Sequence, residues 1–228
     1  MDYMFTDYGL IIISMIIAMG AQWYINHNYS KYSKQKNTDG ITGYETARKI
    51  LDNNGLENVG INMVDGKLTD HYDPRNKTVN LSTDIYNSAT VAAVSVAAHE
   101  CGHAIQDKNG YLFLKLRRSI IPVVNFASYA GYFAVVIGLL FSAMLLIRIG
   151  ILLECIILAF QLITLPVEFN ASSRGLNQIK ELNLLDKNEY YGARKMLKSA
   201  ALTYVAGVAS ALIQVLRLVM ILRRRSDD

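Results

Sequence analysis

Residues 96–107 read Val96-Ala97-Ala98-His99-Glu100-Cys101-Gly102-His103-Ala104-Ile105-Gln106-Asp107. They close a stretch from Ser88 to about Asp107 that is rich in Ala, Val and Ser and has the length of a helix. On a helix, side chains four residues apart lie one turn above each other. His99 and His103 therefore present both imidazoles on one face, where they can grip a single zinc ion while Glu100 projects toward the open coordination position. The chain holds four histidines, and two fall in this pattern. Cys101 points off the metal-facing side and reads as a small packing residue.

Outward from this motif the composition divides sharply. The 228 residues are 52% hydrophobic and 18% charged. Four apolar stretches, 8–26, 119–147, 149–167 and 200–222, hold only two Asp, Glu, Lys or Arg residues, Glu154 and Arg217. The remaining segments have the charge density of a folded, water-facing domain, so neither a fully soluble protein nor a disordered chain fits. A helix needs about 20 residues to cross the roughly 30 Å hydrocarbon layer, and each stretch can span it. The first follows Asp2 and Asp7 rather than a basic region, so it reads as a retained anchor and not as a secretory signal. Two cysteines imply no disulfide framework, and a dispersed net charge of +4 argues against a nucleic-acid-binding surface. Glu154 and Arg217 read as a polar cavity or mutual pair, or as a carboxyl bonded near Gln161 and a snorkelling guanidinium. Trp23, Tyr24, Tyr29 and Tyr32 read as an interfacial aromatic belt.

Lys31, Lys34 and Lys36 follow the first span, and Lys108, Lys115, Arg117 and Arg118 precede the second, which places 27–118 in the cytoplasm. Only Arg148 separates the second and third stretches, so 119–167 is expected to be a tight transmembrane hairpin returning the chain to the cytoplasmic side. Basic residues flank the fourth stretch at both ends; it either crosses or packs partly into the interface. Five segments follow: an anchor (1–26), a cytoplasmic α+β catalytic part with the motif helix (27–118), the hairpin (119–167), a third-ligand helical segment (168–199), and a hydrophobic helix with a basic tail (200–228).

In the polar part, Thr42-Gly43-Tyr44-Glu45 reads as a capping box opening a helix through about Asp52, closed by Gly55. Residues 57–70 give weak, short strand signals. Residues 77–82 alternate polar and apolar after an Asp73-Pro74 turn and predict a half-buried strand, which could also take a substrate backbone as an added strand.

A catalytic zinc site needs three protein ligands and one open position. Among the remaining candidates Glu168 stands out, in Leu165-Pro166-Val167-Glu168-Phe169-Asn170-Ala171-Ser172, where Pro166 can open or kink a helix. The hairpin returns Glu168 to the membrane face on which the imidazoles lie. The plainer reading is a solvated acid at a helix start. For oxyanion stabilisation Arg174, His71, Tyr190 and Tyr191 are candidates.

These segments, with Leu68-Thr69-Asp70-His71-Tyr72-Asp73-Pro74, resemble the bacterial neutral zinc metallopeptidases of the YugP type over nearly the whole chain. The chain is more distantly similar to membrane zinc peptidases in which a third-ligand glutamate also follows a transmembrane hairpin. The resemblance implies an α-helical membrane protein with a small α+β zincin-like catalytic domain, the hairpin lying between the HExxH helix and the third-ligand helix. It implies a membrane-anchored, gluzincin-like zinc endopeptidase: His99, His103 and Glu168 as Zn²⁺ ligands, Glu100 as general base. In the wider group the position four after the glutamate is usually aspartate. Here it is Ser172, so orientation of the ligand imidazoles is expected from Asn170 or Asp107.

The expected partners are a peptide or protein substrate, membrane proteins among them, and the lipid bilayer, with the active site at or near the cytoplasmic face of the cell membrane. Two rivals are an intramembrane-cleaving zinc protease, disfavoured by Asn87, Thr90, Ser95 and Asp107 around the motif helix, and a non-catalytic membrane scaffold with structural zinc.

Overall fold

A computed structural model describes the backbone from Asp2 to Asp227 and the side chains from Tyr8 to Arg224. The elements in chain order are α1 (Asp2–Tyr32), α2 (Gly43–Asn53), β1 (Gly60–Val64), β2 (His71–Asp73), β3 (Thr78–Ser82), α3 (Thr83–Asn87), α4 (Val91–Lys108), α5 (Leu112–Leu140), α6 (Met144–Glu181) and α7 (Lys187–Asp227). They group into two compact units. One is helical, built from α1 through Gln22, residues 115–166 and α7 from Thr203 onward; the other is mixed, built from Trp23–Leu114 and Val167–Leu202.

The mixed unit forms where local signals are strong. Thr42 accepts the Glu45 N–H and the Glu45 carboxylate accepts the Thr42 N–H, so α2 opens on the reciprocal cap read from the sequence. The sheet has the order β1-β3-β2: β1 runs parallel to β3 from Gly60↔Thr78 to Val64↔Ser82, and β2 pairs antiparallel with β3 through Tyr72↔Val79. β3 is thus central and not half-buried. Val79 and Leu81 are fully enclosed, and the opposite face is covered as well. There Asn80 bonds Asn62 and Thr78 and meets His71, while Ser82 donates to Asp70 from both its N–H and its hydroxyl. Alternation predicted an open polar face; hydrogen-bonded polar partners close it instead.

Against this sheet pack α2 and α4, with Ile50, Leu51, Val91, Val94, Ala97 and Ala98 fully buried. Each enclosed Leu or Ile contributes about 1.5–3 kcal/mol of transfer free energy. Tyr32 is buried in the same core and Tyr29 packs on it, so these two are core residues and not part of a lipid-interface belt; Trp23 stands exposed and stacks on His27.

α4 also touches α6 at backbone level. A Cβ on Gly102 would lie 2.3 Å from the Ala171 carbonyl oxygen, and one on Gly175 would lie 2.6 Å from the Ala98 carbonyl oxygen. Two glycines, one on each helix, permit this approach.

Among the described residues four helices, with spans Tyr8–Tyr32, Leu112–Leu140, Met144–Glu181 and Lys187–Arg224, are long and apolar enough to cross a membrane. Side chains that water would drive inward stand exposed on them, among them Ile16, Phe133 and Leu145. In the helical unit α5 and α6 pack closely at Gly138, where a Cβ would lie 2.9 Å from the Ile147 nitrogen.

The turn between them differs from the expected position. It falls at residues 141–143, and Arg148 lies inside α6. Ser142 takes the left-handed conformation (φ 51°) and the Ala143 N–H donates to the Gly138 carbonyl, a Schellman ending at a residue type that seldom signals one. α6 continues through Pro166, so Glu168 sits mid-helix rather than at a helix opening. The 168–199 segment is not one helix. Asn183 (φ 49°) ends α6 through a Leu184 N–H to Ile179 carbonyl bond, and Asp186 with Glu189 forms a reciprocal cap that opens α7.

Gly175→Ala is expected to force α6 off α4 and destabilise the protein by about 1–3 kcal/mol, read as a lowered melting temperature in detergent together with weakened zinc retention.

Candidate metal centre

α4 delivers His99 and His103 one turn apart, with ring centroids 4.8 Å from each other. α6 delivers Glu168, whose Oε2 lies 3.3 Å from His99 Nε2 and 3.6 Å from His103 Nε2. All three ligand atoms lie within 4.8 Å of one another. Donors held about 2.1 Å from one zinc ion at tetrahedral angles stand about 3.4 Å apart, so these two contacts match a shared ion. Glu168 is 2% exposed, and its carboxylate faces two imidazole nitrogens rather than water. The donor set, two imidazoles and a carboxylate, is one that could hold a zinc ion.

The outer hydrogen bonds hold the two rings in orientation. Gln106 donates its Nε2 to the Val167 carbonyl (2.7 Å) and to Asn170 Oδ1 (3.0 Å), which turns its Oε1 toward His103 Nδ1 at 3.0 Å. A hydrogen bond to that oxygen needs the proton on His103 Nδ1, which would leave the Nε2 lone pair free for a metal. His99 Nδ1 lies 3.1 Å from Ser172 Oγ, a hydroxyl that holds the ring in place as either donor or acceptor.

The expectation that Asn170 or Asp107 orients the ligands is therefore corrected. Ser172 and Gln106 do so directly. Asn170 stands one bond behind, accepting from Gln106 and from Arg174 Nε, and Asp107 is taken up by the Tyr72 hydroxyl and Lys77. Helical spacing contained the missed signal, since Gln106 follows His103 by three residues and Ser172 follows Glu168 by four.

Glu100 is enclosed, with its Oε2 accepting the backbone N–H of Tyr72 on β2 at 3.0 Å. Burial pushes its carboxyl up to about 7; Glu168 and Asp70 push the same way, while His99 and the Tyr72 N–H oppose. Cys101, between the ligands, turns the other way and donates to the Ala47 carbonyl, and burial holds its thiol in the protonated form.

Of the four oxyanion candidates, Arg174 joins the site only through Asn170, His71 is tied to Thr69 and Asn80, Tyr190 packs on the core and Tyr191 is exposed. β3, with partners on both sides, has no open edge for an added strand. The strand beside Glu100 is the edge strand β2, which three residues of sequence did not announce.

A family model described as "Putative neutral zinc metallopeptidase" matches residues 8–223. The chain belongs to that family. As a neutral zinc metallopeptidase family member it is also 46% identical, over 219 residues, to the "Putative membrane protease YugP" of Bacillus subtilis (strain 168), covering 96% of this chain and 97% of the relative. No solved structure matches. Family and donor set agree on zinc as the metal.

For this metallopeptidase family member, replacing Gln106 by Leu is expected to weaken zinc binding about 10–100-fold in a chelator-competition titration while leaving the circular dichroism unchanged. Ser172→Ala is expected to act in the same direction.

Proposed function

We propose that the chain is a membrane-anchored zinc endopeptidase that hydrolyses peptide bonds with His99, His103 and Glu168 as metal ligands and Glu100 as general base. The observation that carries this reading is the triangle of two imidazole nitrogens and one buried carboxylate oxygen with a second carboxylate, Glu100, on the same helix turn. Zinc held there supplies Lewis acidity to a scissile carbonyl and lowers the pKa of a water toward about 7. Glu100 accepts the proton of the attacking water and returns it to the leaving amine. Glu100, on the helix turn that carries both imidazoles, is enclosed and its carboxylate is held by the Tyr72 N–H, a fixed position suited to both transfers.

The protein substrate, membrane proteins among the candidates, would lie extended along the outer edge of β2, next to Glu100, in a zincin-like arrangement. The catalytic part, 27–118 with 168–199, would face the cytoplasm, with 1–26, the 119–167 hairpin and 200–222 in the cell membrane. The motif helix α4 is not among the four membrane-length helices, and its Val and Ala side chains fill the core of the mixed unit. Both observations favour this reading over cleavage inside the bilayer.

Glu100→Gln is expected to keep stoichiometric zinc and lose at least about 10²-fold in cleavage of casein, and Glu168→Ala to lose the metal and the activity together. Undiminished cleavage by the Glu100 variant would refute the general-base assignment. Zinc retained with no cleavage in the wild type would point to the scaffold with structural metal.

A further inference from the structure

The apolar stretches of the chain hold a single basic side chain, Arg217 on α7. Ser210, Gln214 and Arg217 recur at spacings of four and three residues and so share one face of that helix. Across from them stand Ile11, Ser14 and Met15 of α1, and between the two helices lies a cavity of about 340 Å³.

Arg217 Nη1 donates to Gln214 Oε1 at 3.1 Å, but Arg217 Nε and the Ser210 hydroxyl are buried and meet no hydrogen-bond partner. No carboxylate lines the cavity, and among the described residues Glu154 and Arg217, for which a mutual pair was one of the readings, form no ion pair. A guanidinium with its Nε buried and only a neutral amide against it leaves one positive charge uncompensated.

The space is several times the roughly 30 Å³ of a water molecule, so a larger anionic group fits it. Arg217 lies five residues before Leu222, the last residue of the stretch, or about 7–8 Å along the helix, a depth from which a long side chain can snorkel to the lipid headgroup layer. The lining supplies one positive charge, two serine hydroxyls and apolar flanks. A ligand matching it carries one net negative charge, several acceptor oxygens and hydrocarbon chains that can run along α1 and α7.

We propose that the α1–α7 cavity binds the phosphodiester of an anionic phospholipid, Arg217 pairing with the phosphate and Ser14, Ser210 and Gln214 bonding to the headgroup oxygens. The assignment is independent of the peptidase reading, because no residue of the metal centre takes part.

The test uses the full chain in neutral detergent, titrated with phosphatidylglycerol, phosphatidylcholine or inorganic phosphate and followed by native mass spectrometry. Wild type is expected to retain phosphatidylglycerol about tenfold over phosphatidylcholine, and Arg217→Gln to bring that ratio to about one. Arg217→Lys should keep part of the preference, inorganic phosphate should not compete, and zinc content should stay constant throughout. Equal retention of the two lipids by wild type, or an unchanged ratio in Arg217→Gln, overturns the proposal. Competition by inorganic phosphate overturns the lipid assignment in favour of a free-anion site. Should Arg217→Gln not fold, Ser210→Ala, which removes one hydroxyl from the cavity wall, is read instead: a lowered ratio supports the site and an unchanged one overturns it.

Discussion

For Glu168 Oε2 to stand 3.3 Å from one imidazole nitrogen and 3.6 Å from the other, two helices must touch with almost no side chain between them. The contact of α4 with α6 through Gly102 and Gly175 meets that requirement. Ordinary helix packing holds axes 8–10 Å apart, set by the side chains at the contact, and hydrogen atoms at this contact allow the near limit. The glycines lie where the ligands are: Gly102 immediately precedes His103, and Gly175 lies seven residues after Glu168, on the same face of α6. The same contact lets Gln106 of α4 reach the Val167 carbonyl and Asn170 of α6. Ligands and their supports thus depend on one backbone approach.

What could be read from the sequence divides along the range of the interactions that encode it. The imidazole pair, the Thr42–Glu45 cap and the four apolar stretches are written in residues less than two turns apart or in bulk polarity, and the structure has each of them. Glu168 was accessible as a partner because a chain reversal limits where it can return. β2 has three residues and no pattern of its own, and it exists because β3 offers an edge and Glu100 accepts the Tyr72 N–H. The turn at Ser142 and the break at Asn183 use left-handed residues other than glycine, so the usual helix-stop signal is missing. The Asp186–Glu189 cap was legible by the rule that found Thr42–Glu45; Leu184 and Leu185, just before it, are buried in the core.

The placement of polar atoms follows a similar logic. In the mixed unit nearly every enclosed polar side chain is engaged by a neighbour: Asn80 by Asn62 and Thr78, Asp70 by Ser82, Glu189 by Thr38 and the start of α7. This is the pattern of a settled protein interior, where an unpaired buried group costs about 1–3 kcal/mol. Glu189 accepts the Thr38 N–H and hydroxyl, so the cap of α7 also anchors the segment that follows α1.

Both imidazoles of the candidate site lean on uncharged partners, a serine hydroxyl and a carboxamide oxygen. Neither group changes ionisation anywhere in the physiological range. An aspartate in the place of Ser172 would tie ring orientation to a protonation equilibrium and add a negative charge beside the ion. The uncharged frame built here directs both rings without adding charge and does not itself titrate, whatever the acidity around it.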